Sequence, residues 1–158
     1  MKAATLSQLK KELNTLPKEE LIEVAVKLAK FKKDNKELLS YLLFEQQDEN
    51  AYINTVKTFV DEQFEGINRS NIYYIKKGLR KILRTINKFI KYSGKKETEI
   101  ELLIHFCNKF KTLEIPLDNY VALHNMYYRQ VQKIKTALKT LHEDVQHDYK
   151  EDLEALII

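Results

Sequence analysis

Leucine spacing organises the first third of this chain. Leu6, Leu9, Leu13 and Leu16 recur at helical intervals and predict a short helix, with Thr5 placed to cap its N-terminus. Pro17 ends that helix and suits the first turn of a second one, which runs to about Phe31. Leu21, Val24, Ala25 and Leu28 share one of its faces, and Glu19, Glu20 and Glu23 fall in its first turns, where carboxylates favour the helix dipole. Asp34-Asn35-Lys36-Glu37 has the spacing of a capping box and opens a third helix through Leu38, Leu39, Leu42 and Leu43. Residues 45–50 hold no apolar side chain. They read as a break, with Asp48 or Asn50 capping a fourth helix through Val56, Val60 and Phe64.

Gly66 fits a helix C-cap, and Asn68 to Asn71 supplies a turn. A helix follows from Asn71 to Tyr92, closed by Ser93-Gly94, and another from about Thr98 to Thr112. A link through Pro116 leads to a long C-terminal helix from about Leu117 to at least His142, with a kink or restart near His147-Asp148. Short links favour antiparallel neighbours, so the pattern predicts an all-α, compact bundle of about seven helices in antiparallel hairpins. One domain spanning residues 1–158 is the simplest organisation. A helical-repeat arrangement stays open, although no fixed period stands out.

The stretch LKKELNTLPKEELIEVAVKLAKFKKDNKELLSYLLF, residues 9–44, and the hairpins after it resemble an uncharacterised family of small bacterial helical proteins, classed as a domain of unknown function. The resemblance implies a bacterial helical domain. It brings no active site, ligand or partner with it.

Composition agrees with the helical reading. The chain has 3 Gly and 2 Pro in 158 residues, too few breakers for a β-architecture, and its 44% hydrophobic content suffices for a core. The N-terminus lacks the apolar stretch of a signal peptide, and no apolar run approaches the ~20 residues that span a bilayer. Cys107 is alone and so forms no internal disulfide. These features fit a cytoplasmic protein with no membrane role.

Charge changes the picture more. No Asp or Glu lies between Glu65 and Glu97, while that stretch carries ten Lys and Arg residues. The whole chain is only +4, so the remainder is acidic. On a helical wheel Lys76, Lys77, Arg80, Lys81, Arg84, Lys88 and Lys91 fall within an arc of about 140°. The apolar residues Leu79, Ile82, Leu83, Ile86 and Phe89 fall outside it. Tyr73 lies inside the cationic arc, with Tyr74 and Tyr92 at its edge; aromatics so placed stack on unpaired bases or cover a seam between core and solvent. The like-charge pairs Lys76–Arg80, Lys77–Lys81, Arg80–Arg84 and Arg84–Lys88 each cost about 0.2–0.5 kcal/mol, so the face calls for compensation. An acidic protein or a nucleic acid supplies it, or else the chain itself does, because residues 45–65 hold six acids against Lys57. No zinc-finger spacing, RNP motif or GXXG loop specifies a nucleic-acid class.

Candidate chemistry is sparse. His142 and His147 are five apart, about 140° around a helix, so they miss the zinc-protease spacing of four. Glu101–His105 and Glu143–His147 are i,i+4 pairs that two facing helices can turn into a metal site, although the Glu-x-x-His spacing of di-iron bundles is absent. Cys107, among apolar neighbours, reads as a buried thiol, and His124, with Val121, Tyr128 and Val131, as a half-buried core histidine. Tyr127 and Tyr128 read as packing residues, and the apolar end Leu156-Ile157-Ile158 suits docking into its own bundle or into a second subunit, as a homodimer.

The expectation is therefore a non-enzymatic binding or scaffold module, which captures an acidic protein or a nucleic acid through Lys76, Lys77, Arg80, Lys81, Arg84, Lys88, Lys91 and Tyr73. It assigns no catalytic residue, metal ligand or cofactor. The opposed expectation is a helical metal-dependent enzyme using His105, His142 and His147 with nearby Glu residues.

Overall fold

The computed structural model describes residues 1–157. The described residues form nine α-helices and no strand, and seven of the helices are eight residues or longer, so the chain is all-α. Its contacts divide it into two units, one of residues 1–44 and one from Glu45 onward. The C-terminal Ile158, named above with Leu156 and Ile157, lies outside the described residues.

The first unit holds α1 (Leu6–Leu13), α2 (Lys18–Phe31) and α3 (Lys33–Ser40). Thr5 caps α1 as its spacing predicts: the Gln8 amide donates to Thr5 Oγ1 at 3.3 Å, and the Thr5 amide donates to Gln8 Oε1 at 2.9 Å. The capping box expected at residues 34–37 is displaced. The N-cap of α3 is Lys32, whose extended backbone (φ −144°, ψ 150°) breaks α2 from α3 two residues earlier, so Asp34 sits within the first turn. The predicted continuation through Leu42 and Leu43 widens into a π-helical turn, Tyr41–Glu45. None of α1, α2 or α3 contributes a buried residue.

The second unit holds α4 (Glu49–Glu65), α5 (Ile72–Ser93), α6 (Lys96–Lys111), α7 (Val121–Leu138), α8 (Glu143–Asp148) and α9 (Lys150–Ala155). Asp48 and Asn71 cap α4 and α5 by accepting from the amides of Ala51 and Tyr74, both at 3.1 Å. Gly94 ends α5 in the left-handed region (φ 69°), where a side chain would be strained. Within α5, Gly78 answers a different need. A Cβ there would lie 3.1 Å from Ile67 Cγ1, so the missing side chain lets the turn after α4 press Ile67 onto the helix.

Helix α6 buries eight of its 16 residues, Thr98 and seven apolar ones, while Glu97, Asn108 and Lys111 are exposed, and it packs against α4, α5 and α7. Phe64, Phe106, Phe110 and Tyr127 form a continuous aromatic series from α4 through α6 to α7, with successive ring centroids 5.5, 6.0 and 5.4 Å apart. Each such side chain contributes about 1.5–3 kcal/mol by leaving water.

The long C-terminal helix expected from Leu117 is not continuous. Leu117–Asn119 is a 3-10 turn, α7 stops at Leu138, and the chain restarts twice. His142 begins α8, its Nδ1 accepting from the Asp144 amide at 3.2 Å, and Tyr149 separates α8 from α9. The reason lies at the end of the chain. Leu156 is fully buried, the Tyr127 hydroxyl donates to its carbonyl at 2.8 Å, and Lys111 Nζ donates to the Ala155 carbonyl at 2.7 Å. An unbroken helix would carry Leu156 away from α7 at about 1.5 Å per residue.

Candidate functional site

Helix α5 divides as its sequence predicts. Leu79, Ile82, Leu83 and Ile86 are buried, while Lys77, Arg80, Lys81, Arg84 and Lys91 are exposed and Lys76 and Lys88 half-buried. Two acids of α4, Glu49 and Asp61, have partners away from that face. Glu49 accepts from the hydroxyls of Ser93 and Thr98 and lies 3.4 Å from Lys95 Nζ, which pins the α5–α6 turn. Asp61 lies 2.7 Å from His105 Nε2 and 3.4 Å from Lys109 Nζ on α6. Among the described residues Lys76, Lys77, Arg80, Lys81, Arg84 and Lys91 form no salt bridge with residues 45–65 or any others. Lys88 is engaged, its Nζ 5.7 Å from the Phe89 ring centroid.

The cationic face does not stand alone. Helices α5 and α7 both pack on α6, and between them runs a groove of ≈ 780 Å³. From α5 it is lined by Tyr73, Lys76, Lys77, Arg80 and Arg84, with Leu83 and Asn87; from α7 by Ala122, Asn125, Met126, Arg129 and Gln130. None of these described residues is acidic. Like charges around a concave surface focus the field on whatever enters. Of the eight residues expected to bind, five line the groove: Tyr73, Lys76, Lys77, Arg80 and Arg84. Lys81, Lys88 and Lys91 are not among its lining residues. Tyr73, 59% exposed, stands edge-on to Tyr74 with ring centroids 5.4 Å apart.

The α7 wall escaped the sequence reading. Arg129 and Gln130 come to α5 only through the packing of both helices on α6. A signal was present: no Asp or Glu lies between Asp118 and Glu143, while Arg129, Lys133, Lys135 and Lys139 do, a second acid-free stretch.

The residues considered for metal chemistry are used otherwise. Glu101 accepts from Lys57 Nζ at 2.6 Å and from the Tyr149 hydroxyl at 2.8 Å. Burial acts to raise its carboxyl, but those hydrogen bonds and the charges of Lys57 and His105 outweigh burial and hold it below the ordinary value of 4.5. Burial, and then the bond to Glu101, push the Tyr149 hydroxyl up. His105 faces Asp61, and His142 caps α8. No three His, Cys, Asp or Glu among the described residues are grouped to hold a metal ion. Cys107 is buried as predicted, and burial pushes its thiol up to about 12, away from the nucleophilic thiolate. His124 and Tyr128 correct the packing expectation: both are exposed, and they stack on each other at 6.4 Å with their rings 6° apart, while Tyr127 is buried. Val121 is exposed as well, because α7 begins there and its core face starts at Leu123. No helix among the described residues is long and apolar enough to cross a membrane.

No family model matches the chain, and no curated protein or solved structure matches it either.

Proposed function

We propose that this chain is a non-enzymatic binding module that captures a polyanion on the α5 face, and that a nucleic acid is the polyanion it fits best. One observation carries the reading: five cations without a carboxylate among them line a single groove between α5 and α7. Such an array leaves the like-charge cost of α5 uncompensated until an anion binds. Tyr73 favours a nucleic acid over an acidic protein, because an exposed ring among cations offers a stacking platform beside a phosphate-binding surface.

Fluorescence anisotropy of labelled nucleic acid, titrated at several salt concentrations, tests the reading. With six phosphates contacted, log K against log salt slopes at about −4 for single strands and about −5 for duplex. The double reversal Arg80→Glu and Arg84→Glu abolishes binding without unfolding the protein, since both side chains are exposed. Absence of binding at low salt overturns the proposal.

A further inference from the structure

The first unit carries more apolar surface than it encloses. On α2, with Leu21 set at 0°, the apolar residues run from Phe31 at about 280° through Leu28 and Leu21 to Val26 at about 140°, an arc of about 220°. Every charged residue of α2 after Lys18 falls in the remaining arc. A helix apolar around most of its circumference is one with neighbours on several sides. Yet α2 buries none of its residues: Ala25 and Ala29, in the middle of the arc, are half-buried, and the rows flanking them are exposed. One of those rows, Leu21, Val24, Leu28 and Phe31, has the 3-4-3 spacing of a coiled-coil seam, the pattern that packs onto another helix. Leu6, Leu9 and Leu13 repeat the spacing on α1 and are exposed too.

Size and chemistry select the occupant. Residues 1–44 hold thirteen exposed large apolar side chains besides Met1, about half exposed on average. Taking roughly 150 Å² for each fully accessible side chain, they present on the order of 1,000 Å² to water. The largest apolar patch of a monomer is about 300–600 Å². Each partner of a stable interface buries about 800 Å², and the first unit's surface is of that size. A helix that fills such a row needs an apolar row of its own. The second unit has none to offer among the described residues. Leu79, Ile82, Leu83 and Ile86 of α5 are buried, and the exposed large apolar residues, four tyrosines with Val121 and Ile157, include no pair three or four apart. The matching surface is a second copy of residues 1–44, and a face that matches itself closes a two-fold dimer.

We infer that residues 1–44 form the interface of a homodimer, the exposed row of α2 packing against the same unit of a second copy. Such a dimer is independent of polyanion capture, since it uses none of the groove residues.

Sedimentation of the full chain tests it. At micromolar concentration the protein sediments at twice its 18.8 kDa mass and returns to a single chain on dilution. Leu28→Glu with Phe31→Glu sediments as a single chain at every concentration, with its far-UV circular dichroism unchanged, since both side chains are exposed in the single chain. Tyr128→Glu with Ile157→Glu, at exposed apolar positions of the second unit, leaves the dimer intact. Leu28→Cys reads the face directly, because Cys107 is buried. By mass action, the new thiol reacts with a maleimide about tenfold more slowly at about fifty times the dimer dissociation constant than in dilute protein. A single chain at every concentration overturns the inference. So does a dimer that the Tyr128 and Ile157 substitutions split and the Leu28 and Phe31 substitutions spare. A thiol rate independent of concentration overturns it as well, even where the double glutamate variant is a single chain, because the α2 row is then not what the second copy covers.

Discussion

The two units place their apolar residues in opposite ways. In α6 nearly every apolar side chain is enclosed, and Phe106 has no exposed surface. In residues 1–44 only Tyr41 is buried among the described residues, while Leu28 is 59% and Phe31 76% exposed. Both regions have helical periodicity, and their caps form alike: Thr5 and Asp48 each accept a backbone amide. Local signals thus specify helices equally well in both, and burial separates them. The basic groove belongs to the second unit, where α5 and α7 both pack on α6 and bring a set of cations together.

The sharpest way to break this comparison is paired truncation. Phe106→Ala empties the aromatic series and costs about 3–5 kcal/mol in denaturant unfolding. Leu28→Ala, at a position exposed in the single chain, costs under about 0.5 kcal/mol at concentrations too low for self-association. Equal losses there would mean that the chain covers this apolar face itself.

A smaller effect is expected from Glu101, whose carboxyl bridges Lys57 and Tyr149. Its folded-state value is depressed, so the ionised group stabilises the fold above the ordinary value of 4.5, and that contribution is lost as pH falls through the folded-state value below it. Glu101→Gln costs about 1.5 kcal/mol at neutral pH and progressively less below the ordinary carboxylate range, read by thermal melts across pH. A constant loss at every pH would rule out the charged bridge. In the first unit Lys33–Glu37 is a 3.8 Å surface pair with Lys33 86% exposed, a geometry that contributes little.

The smallest difference concerns the caps. Asp48→Ala removes about 1 kcal/mol from the global unfolding of the second unit. Thr5→Ala loses a cap of similar strength, but α1 buries nothing, so circular dichroism registers lost helicity while the main transition stays where it was. A shift of that transition by Thr5→Ala would show that α1 is part of the cooperative core.

Much of the fold was legible because helix starts and stops are local events. Thr5, Asp48, Asn71 and Gly94 announce their elements through groups only a few residues apart. The capping box at 34–37 misled because the extended Lys32 already supplies the break. The C-terminal helix misled because the apolar end at Leu156 suited its own bundle and a second subunit alike, and the spacing from Leu117 onward does not say that Leu156 returns to Tyr127. Half of the candidate site was equally legible: the cationic arc of α5 follows from 100° per residue. Arg129 and Gln130 were not, since they lie more than 40 residues along the chain from Arg84 and meet it only in space.

The sequence by itself determined that this protein is helical, where most of its helices begin, and that one of them presents a cationic face, because caps and periodicity act over one or two turns. Tertiary structure alone decided which cations stand without acids and which wall faces them. Those outcomes depend on how α5 and α7 pack against α6, and packing is settled by side chains distant in sequence whose apolar surfaces leave water together.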